Sequence, residues 1–348
     1  MIDFRYHLVS IVAVFLALAI GLVIGSTALR GYVLAGLNAA SQHEKKVNNS
    51  LYQHNSQLRA RIAADDAFAR AAEARLLNGL LTGDRVVLVL APGTDGSTVN
   101  GISTALSEAG ATVTGQVVLS AQFFDTGSVT EQQLQSTVRN LEPLGVALPK
   151  SPPDPQIAGQ QAAAQVIAPA IVNKDGFPTL TQAESQQILT EFGNSGFLQI
   201  KGAGGAASLA GQATMAVVVV PGTVPPAATS WPFNLALVSL ANDLQESGKG
   251  VVLAGNLKGS GPHSAISAVN SGAAGVRMTT IDNADTAPGQ VIVAQALREL
   301  LLPNATPRAY GVRPARVPSP APSPSPSATA PLSSRSPRPH PSAKKSAR

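Results

Sequence analysis

Residues Leu8 to Leu29 form a run of apolar and small residues without a single charge, and no second segment of this kind occurs among the 348 residues. As a helix rising about 1.5 Å per residue the run is about 33 Å long, enough to cross the hydrocarbon core of a bilayer once. Kept in the chain, such a helix ties it to a membrane at its start. The run exceeds the 7–15 apolar residues typical of a secretory signal, and its flank is poor in cations: Arg5 is offset by Asp3. An uncleaved anchor over residues 1–30 is the reading. Ser26-Thr27-Ala28 offers a cleavage site, so a removed signal is the alternative. Arg30, Lys45 and Lys46 outnumber Arg5, so charge counting does not favour the N-terminus inside. Gly21 and Gly25 form a small-xxx-small pair that would let two anchors pack, or are ordinary membrane-helix glycines.

Residues 31–80 read as a helical stalk. From Leu34 to Leu76 there is no proline, and apolar residues recur at alternating four- and three-residue steps. One heptad register puts Leu51, Leu58 and Ala72 at d, and Ile62, Ala69 and Leu76 at a, with Asn48 and Asn55 also at a. Asparagine at a fixes register at a cost in stability, so Asn48, Leu51, Asn55, Leu58 and Ile62 are the expected contacts of a parallel homodimer. Asp65 at d interrupts the seam, and a surface helix docked on its own globular domain is the alternative.

Residues 84–302 are enough for a substantial core. Short β-branched runs alternate with helical stretches: strands at Arg85 to Leu90, Thr112 to Leu119, Ala213 to Val220, Gly250 to Ala254 and Val276 to Ile281, with helices between and after them. This alternation predicts an α/β, Rossmann-like, mostly parallel sheet with helices on both faces. A proline-rich break from Pro143 to Pro155 and a helical insert divide it into possible halves, 84–142 and 213–302. Ala91-Pro92-Gly93 and Val220-Pro221-Gly222 end two strands alike, which is either a trace of duplication or two similar turns.

Ligands of open α/β sheets sit at the carboxyl ends of strands. Three loops there carry polar chemistry. Gly93-Thr94-Asp95-Gly96-Ser97 could cradle an anion or simply turn into a helix capped by Ser97. Gly255 to Pro262 contains Lys258 and Ser260, but neither the phosphate-loop spacing nor a nucleophile elbow. Asp282 and Asp285, three apart after a strand, are the candidate cation ligands, or else close a turn and cap a helix. With no cysteine, thiolate ligands, disulfides and thiol catalysis are excluded. His43 and His54 lie about 16 Å apart along the stalk and cannot share a metal within one chain. No acid, base or nucleophile constellation points to catalysis, and no resident cofactor is expected.

From Pro303 to Arg348 come twelve prolines, many serines and no acid, which predicts a disordered tail. Its net charge of +8 against +5 for the whole chain leaves −3 for the rest, so the basic balance is the tail's and does not indicate a nucleic-acid-binding fold. An anionic wall polymer or phospholipid head groups would suit it, as would no partner at all.

The opening Met1-Ile-Asp-Phe-Arg-Tyr-His-Leu-Val-Ser10 through Gly25-Ser26, together with Val86 to Gly93, Gly110 to Gly115 and Thr280-Ile-Asp-Asn-Ala-Asp-Thr286, resembles the actinobacterial copper-transporter family, the relatives of mycobacterial copper transport protein B. The likeness runs from Met1 to about Leu302. It implies a cell-envelope protein in copper homeostasis or efflux, single-pass in the cell membrane with its soluble part on the extracytoplasmic side. It also implies an alternative role, since some relatives are associated with daughter-cell separation and control of peptidoglycan hydrolysis through protein partners. No copper-ligand motif carries over residue by residue. A lone helix cannot line a pore, and with 4% aromatic residues no girdled barrel pattern is present, so the residues themselves suggest a non-enzymatic, partner-binding envelope protein.

Overall fold

The apolar run is the first part of one continuous helix, α1 (Asp3–Leu77), about 113 Å long at 1.5 Å per residue. The computed structural model of the chain describes residues 3–141, 154–174, 180–202, 205–210 and 213–313. The membrane candidate within α1 is Tyr6–Gly25, 20 residues of mean hydropathy 2.9 with no share buried against the protein. No proline interrupts α1, so the backbone ladder continues unbroken into the region read as a stalk. The proline-rich stretch expected at Pro143 to Pro155 falls largely outside the described residues, as does the tail beyond Arg313.

The rest of the chain builds a seven-stranded sheet in the order β3-β2-β1-β4-β5-β6-β7. Its strands are β1 (Arg85–Leu90), β2 (Thr112–Leu119), β3 (Leu198–Lys201), β4 (Met215–Val219), β5 (Gly250–Ala254), β6 (Thr279–Ile281) and β7 (Ala309–Tyr310). All pairings are parallel except β2 with β3. Strands β1, β4 and β5 are buried almost throughout because both faces are covered. Alternate side chains serve two cores: Val87, Val89, Val218 and Leu253 point to one, Val86, Leu88, Val217 and Val252 to the other. Helices α3 (Ser128–Asn140), α4 (Ala158–Ile171), α5 (Gln182–Asn194), α7 (Ala227–Ser247) and α8 (Ala265–Asn270) contribute to the first core. Helices α2 (Gly96–Glu108), α9 (Ala287–Leu300) and the end of α1, through Leu77, contribute to the second. The short α6 (Gly205–Leu209) packs beside α5 and β2.

Three departures from the sequence reading have physical causes. The ordered domain does not stop at Leu302. Pro303 to Arg308 loop round and β7 joins the sheet edge beside β6, where Tyr310 is buried and its hydroxyl donates to the Glu299 carboxylate. Burial, followed by that hydrogen bond, pushes the Tyr310 phenol well above its usual range. Second, α2 is capped by neither the hydroxyl nor the position of Ser97: Asp95 occupies the N-cap, and its carboxylate turns elsewhere. Third, the helix that the sequence pattern places near Phe233 to Ser247 begins earlier: α7 starts at Ala227, since Pro232 sits early enough in the helix to remove only one ladder bond.

The last turns of α1 are not free. Asp66, Ala69 and Ala72 are half-buried, Glu73 and Leu77 are buried, and α1 packs on α9 and α2. The expected heptad seam is therefore divided: Ala69 and Ala72 serve docking, whereas Leu51, Leu58 and Ile62 stay 58, 59 and 55% exposed. Asn48 and Asn55 are exposed as well, and the Asn55 amide donates to the Leu51 carbonyl.

Candidate functional site

The chain order runs outward from β1 through β2 to β3, then returns to the other side of β1 as β4 and proceeds to β7. At that reversal the loops leaving neighbouring strands diverge, which opens a crevice at the strand carboxyl ends. A cleft of about 670 Å³ lies there. Gly93 and Asp95 come from the loop after β1, Gly222 and Thr223 from that after β4, Asn256 to Lys258 from that after β5, and Asp285 from that after β6. The two similar strand ends noted in the sequence are neighbours here: Gly222 N–H donates to the Gly93 carbonyl at 2.9 Å, with Gly93 in the left-handed region at φ +80°.

The wall of the cleft is held by side chains. Asn256 Nδ2 donates to Asp95 Oδ2 at 3.3 Å, while Asn256 Oδ1 accepts the Gly259 amide at 2.6 Å, so Asn256 bridges the β1 and β5 loops. Asp285 lies inside, and its carboxyl is raised above the ordinary carboxylate range, first by burial and then by the negative charges of Asp66, Asp95 and Asp282. The cleft thus gathers acidic field, with the Lys258 ammonium at its rim as the cation among its lining residues. Such a site favours a ligand with a positive or hydrogen-bond-donating end.

The two aspartates expected to hold a cation have separate employments. Asp282 is 3% exposed, and its carboxylate accepts the backbone amides of Val312 at 2.8 Å and Arg313 at 3.0 Å. Arg313 in turn donates from its guanidinium to the carbonyls of Ser260 at 2.6 Å and Leu257 at 3.2 Å. Asp282 therefore fastens the segment after β7 across the β5 loop that carries Lys258. Gly311 is needed for this approach: its φ is +120°, and a Cβ there would stand 2.0 Å from Asp282 Oδ1. Asp285 faces the cleft instead. Thr286 caps α9, its hydroxyl accepting the Gly289 amide at 3.2 Å.

Among the described residues no group of three or more His, Asp or Glu side chains is placed to hold a metal ion. The soft thioethers Met215 and Met278 are buried in the sheet cores. His43 and His54 stand on exposed α1, and the His54 ring contacts the Ser50 carbonyl one turn back.

A second cavity of about 360 Å³ lies between α7 and the segment leading into α4. Burial and the nearby Glu246 push the Asp243 carboxyl up to about 7, and its Oδ2 is enclosed without a hydrogen-bond partner among the described residues. Sequence reasoning named the loops of the first cleft but neither their convergence nor the share of Asp66, Asp95 and Arg313 in it. Asp243 left no sequence signal, being one polar residue in an amphipathic helix.

One candidate span continuous with a helix docked on a mostly parallel α/β domain, whose cleft opens at the sheet reversal, defines an α/β protein with a candidate N-terminal membrane span. A sequence model of the family described as MctB, copper transport outer membrane protein, matches residues 1–319, and the chain belongs to that family. It is 31% identical over 316 residues to the copper transporter MctB of Mycobacterium leprae, covering 90% of this chain and 96% of that one. The copper transporters MctB of Mycobacterium tuberculosis and Mycobacterium bovis are each 29% identical over 305 residues, 86% of this chain and 93% of theirs. The family is named for copper transport and not for a catalysed reaction. This is a copper-transport-related envelope protein.

Proposed function

We propose that this chain serves copper homeostasis as a non-enzymatic, single-pass tether that presents a partner-binding α/β head, and that it does not conduct the ion itself. The observation that carries this is the continuity of α1 from the span Tyr6–Gly25 to the docked turns at Asp66 to Leu77. A bilayer conduit needs several helices or a closed barrel. The described residues offer one candidate span and an open, mostly parallel sheet whose central strands are buried on both faces. In this reading the head is a Rossmann-like domain on the extracytoplasmic side, its strand reversal supplying the cleft for an envelope or membrane protein partner. The exposed Leu51, Leu58 and Ile62, with Asn48 and Asn55 between the same turns, pair two copies as a parallel coiled coil. The tail beyond Arg313 reaches for anionic wall polymers. Copper is cargo of the pathway, not a resident cofactor.

A span exchange tests the reading. In a deletion strain, a chain whose Leu8 to Leu29 is replaced by an unrelated apolar helix of equal length should restore copper tolerance as fully as the parent chain. Failure of a correctly inserted, equally abundant exchange chain would show that the span does more than tether. Chained or branched cells without copper sensitivity in the deletion strain would instead favour a scaffold that regulates daughter-cell separation.

A further inference from the structure

The cavity of about 360 Å³ between α7 and the segment entering α4 shares none of its lining residues with the cleft at the strand reversal. Three carboxylates line it, Asp154, Asp243 and Glu246, with no Lys, Arg or His among the lining residues. Each has an unused oxygen. Asp154 Oδ1 accepts the Gln156 amide at 2.8 Å and Glu246 Oε1 accepts from Asn242 Nδ2 at 2.9 Å, which leaves Asp154 Oδ2 and Glu246 Oε2 without a hydrogen bond among the described residues. Asp243 Oδ2 is enclosed with no donor at all. A fourth polar group on this cavity is also short of a partner. The Gln161 side chain lines the cavity and is only 8% exposed. Its Oε1 accepts the Asp154 amide at 3.2 Å, which fixes the carboxamide's orientation and leaves Nε2 without an acceptor among the described residues. A nearly buried N–H of this kind destabilises the fold until something supplies that acceptor.

These unpaired groups select a cation with an alkyl body. An anion would face three carboxylates and no positive group, and a wholly apolar ligand would leave the Asp243 charge and the Gln161 N–H uncompensated in a space emptied of water. Burial and Glu246 already raise the Asp243 carboxyl to about 7, the mark of a charge that lacks a counterion. Among the described residues no three acidic or imidazole groups are placed to share a metal ion, so the cation is one that tolerates wider spacing. The carboxylates belong to separate residues, which suits the diverging N–H groups of an ammonium better than the planar fork of a guanidinium, matched to a single carboxylate. Ile157 and Val238, both buried, give methylenes an apolar wall. The volume stands at the low end of the range of about 300–1,000 Å³ for ligand pockets, room for one short chain. We infer that this cavity binds a primary alkylammonium, as a free amine or as the side chain of a lysine. Its charge compensates Asp243 through space, without touching the enclosed Oδ2, while its N–H groups meet the free oxygens of Asp154 and Glu246. The carbonyl of a lysyl residue, or a water retained beside a free amine, accepts from Gln161. The cavity lies on the sheet face opposite the docked α1, because α4 and α7 pack on the other core, so it stays open when the end of α1 is engaged.

Calorimetric titration of the full chain in non-ionic detergent tests this. Butylamine across the millimolar range is expected to bind saturably, whereas butanol and butyrate, neutral and anionic probes of the same chain length, are expected not to bind. Asp243→Asn should weaken amine binding at least tenfold, and it keeps the fold because it removes a charge that resists burial. Glu246→Gln, at an exposed position, should weaken binding severalfold and serves if the first variant fails to fold. Absence of saturation with butylamine, equal binding of butanol, or undiminished binding by the folded variants would overturn the assignment. N-acetyl-lysine methylamide separates the two sources, since its carbonyls offer Gln161 the acceptor that butylamine lacks. Tighter binding of this analogue than of butylamine marks a lysine side chain as the ligand; equal or weaker binding marks a free amine.

Discussion

Asp66, on the helix that carries the candidate span Tyr6–Gly25, accepts the backbone amide of Ala287 with its Oδ1 at 3.1 Å. Ala287 is the first residue of α9, so the carboxylate meets one of the helix's otherwise unsatisfied amides and the positive end of its dipole. The end of α1 is in this way a cap for α9. Asp66→Ala should lower head stability by about 1 kcal/mol, with Asp66→Asn retaining most of it. Thermal unfolding with amide exchange at the first turn of α9 would check this, and exchange there should rise while the sheet core stays protected.

The Asp282 carboxylate and Arg313 join the segment after β7 to the β5 loop. Asp282→Ala removes the acceptor of two part-buried backbone amides, those of Val312 and Arg313, and should cost about 1–2 kcal/mol. A chain ending at Leu302 loses β7 and the clamp together, whereas one ending at Arg313 keeps both. Their melting temperatures, compared in the same detergent, should differ by several degrees at this domain size, the longer chain being the more stable.

Asp243 gives the head a pH dependence. Its folded pKa of about 7 lies above the ordinary 3.8, so the proton is bound more tightly in the folded state. That contribution is fully present below about pH 4 and is lost as pH rises through 7. Asp243→Asn should flatten the loss and stabilise the protein at pH 8 by about 1–2 kcal/mol, allowing for the partial exposure of the group. Denaturant unfolding of both chains from pH 4 to pH 8 would measure it.

For the exposed seam, Leu51→Asp together with Leu58→Asp should abolish pairing without altering the head, whose contacts with α1 begin at Asp66. Sedimentation of the full chain in detergent would show dimer for the parent and monomer for the variant. A monomeric parent would remove the coiled coil from the account.

The periodicity of the chain made much of this architecture legible. The switch from heptad steps before Leu76 to β-branched runs after Asp84 located α1 and the parallel strands, and Val217-Val218-Val219-Val220 announced a strand buried on both faces. What stayed hidden depends on distance in space. Strand β3 carries a lysine and a glutamine among its four residues and shows no apolar run, and β7 is two residues long. Arg313 read as tail charge because its carbonyl acceptors at Leu257 and Ser260 are remote in sequence. Ala69 and Ala72 fit a heptad equally well whether they meet a second helix or α9, since both surfaces ask for small apolar residues.

The central claim is that the chain tethers and presents but does not conduct. Purified full-length chain reconstituted into liposomes that enclose a cuprous chelator dye puts this to the test directly. The account predicts copper entry no faster than into protein-free liposomes. Entry that scales with the amount of chain and disappears when charges are placed in Tyr6–Gly25 would contradict it.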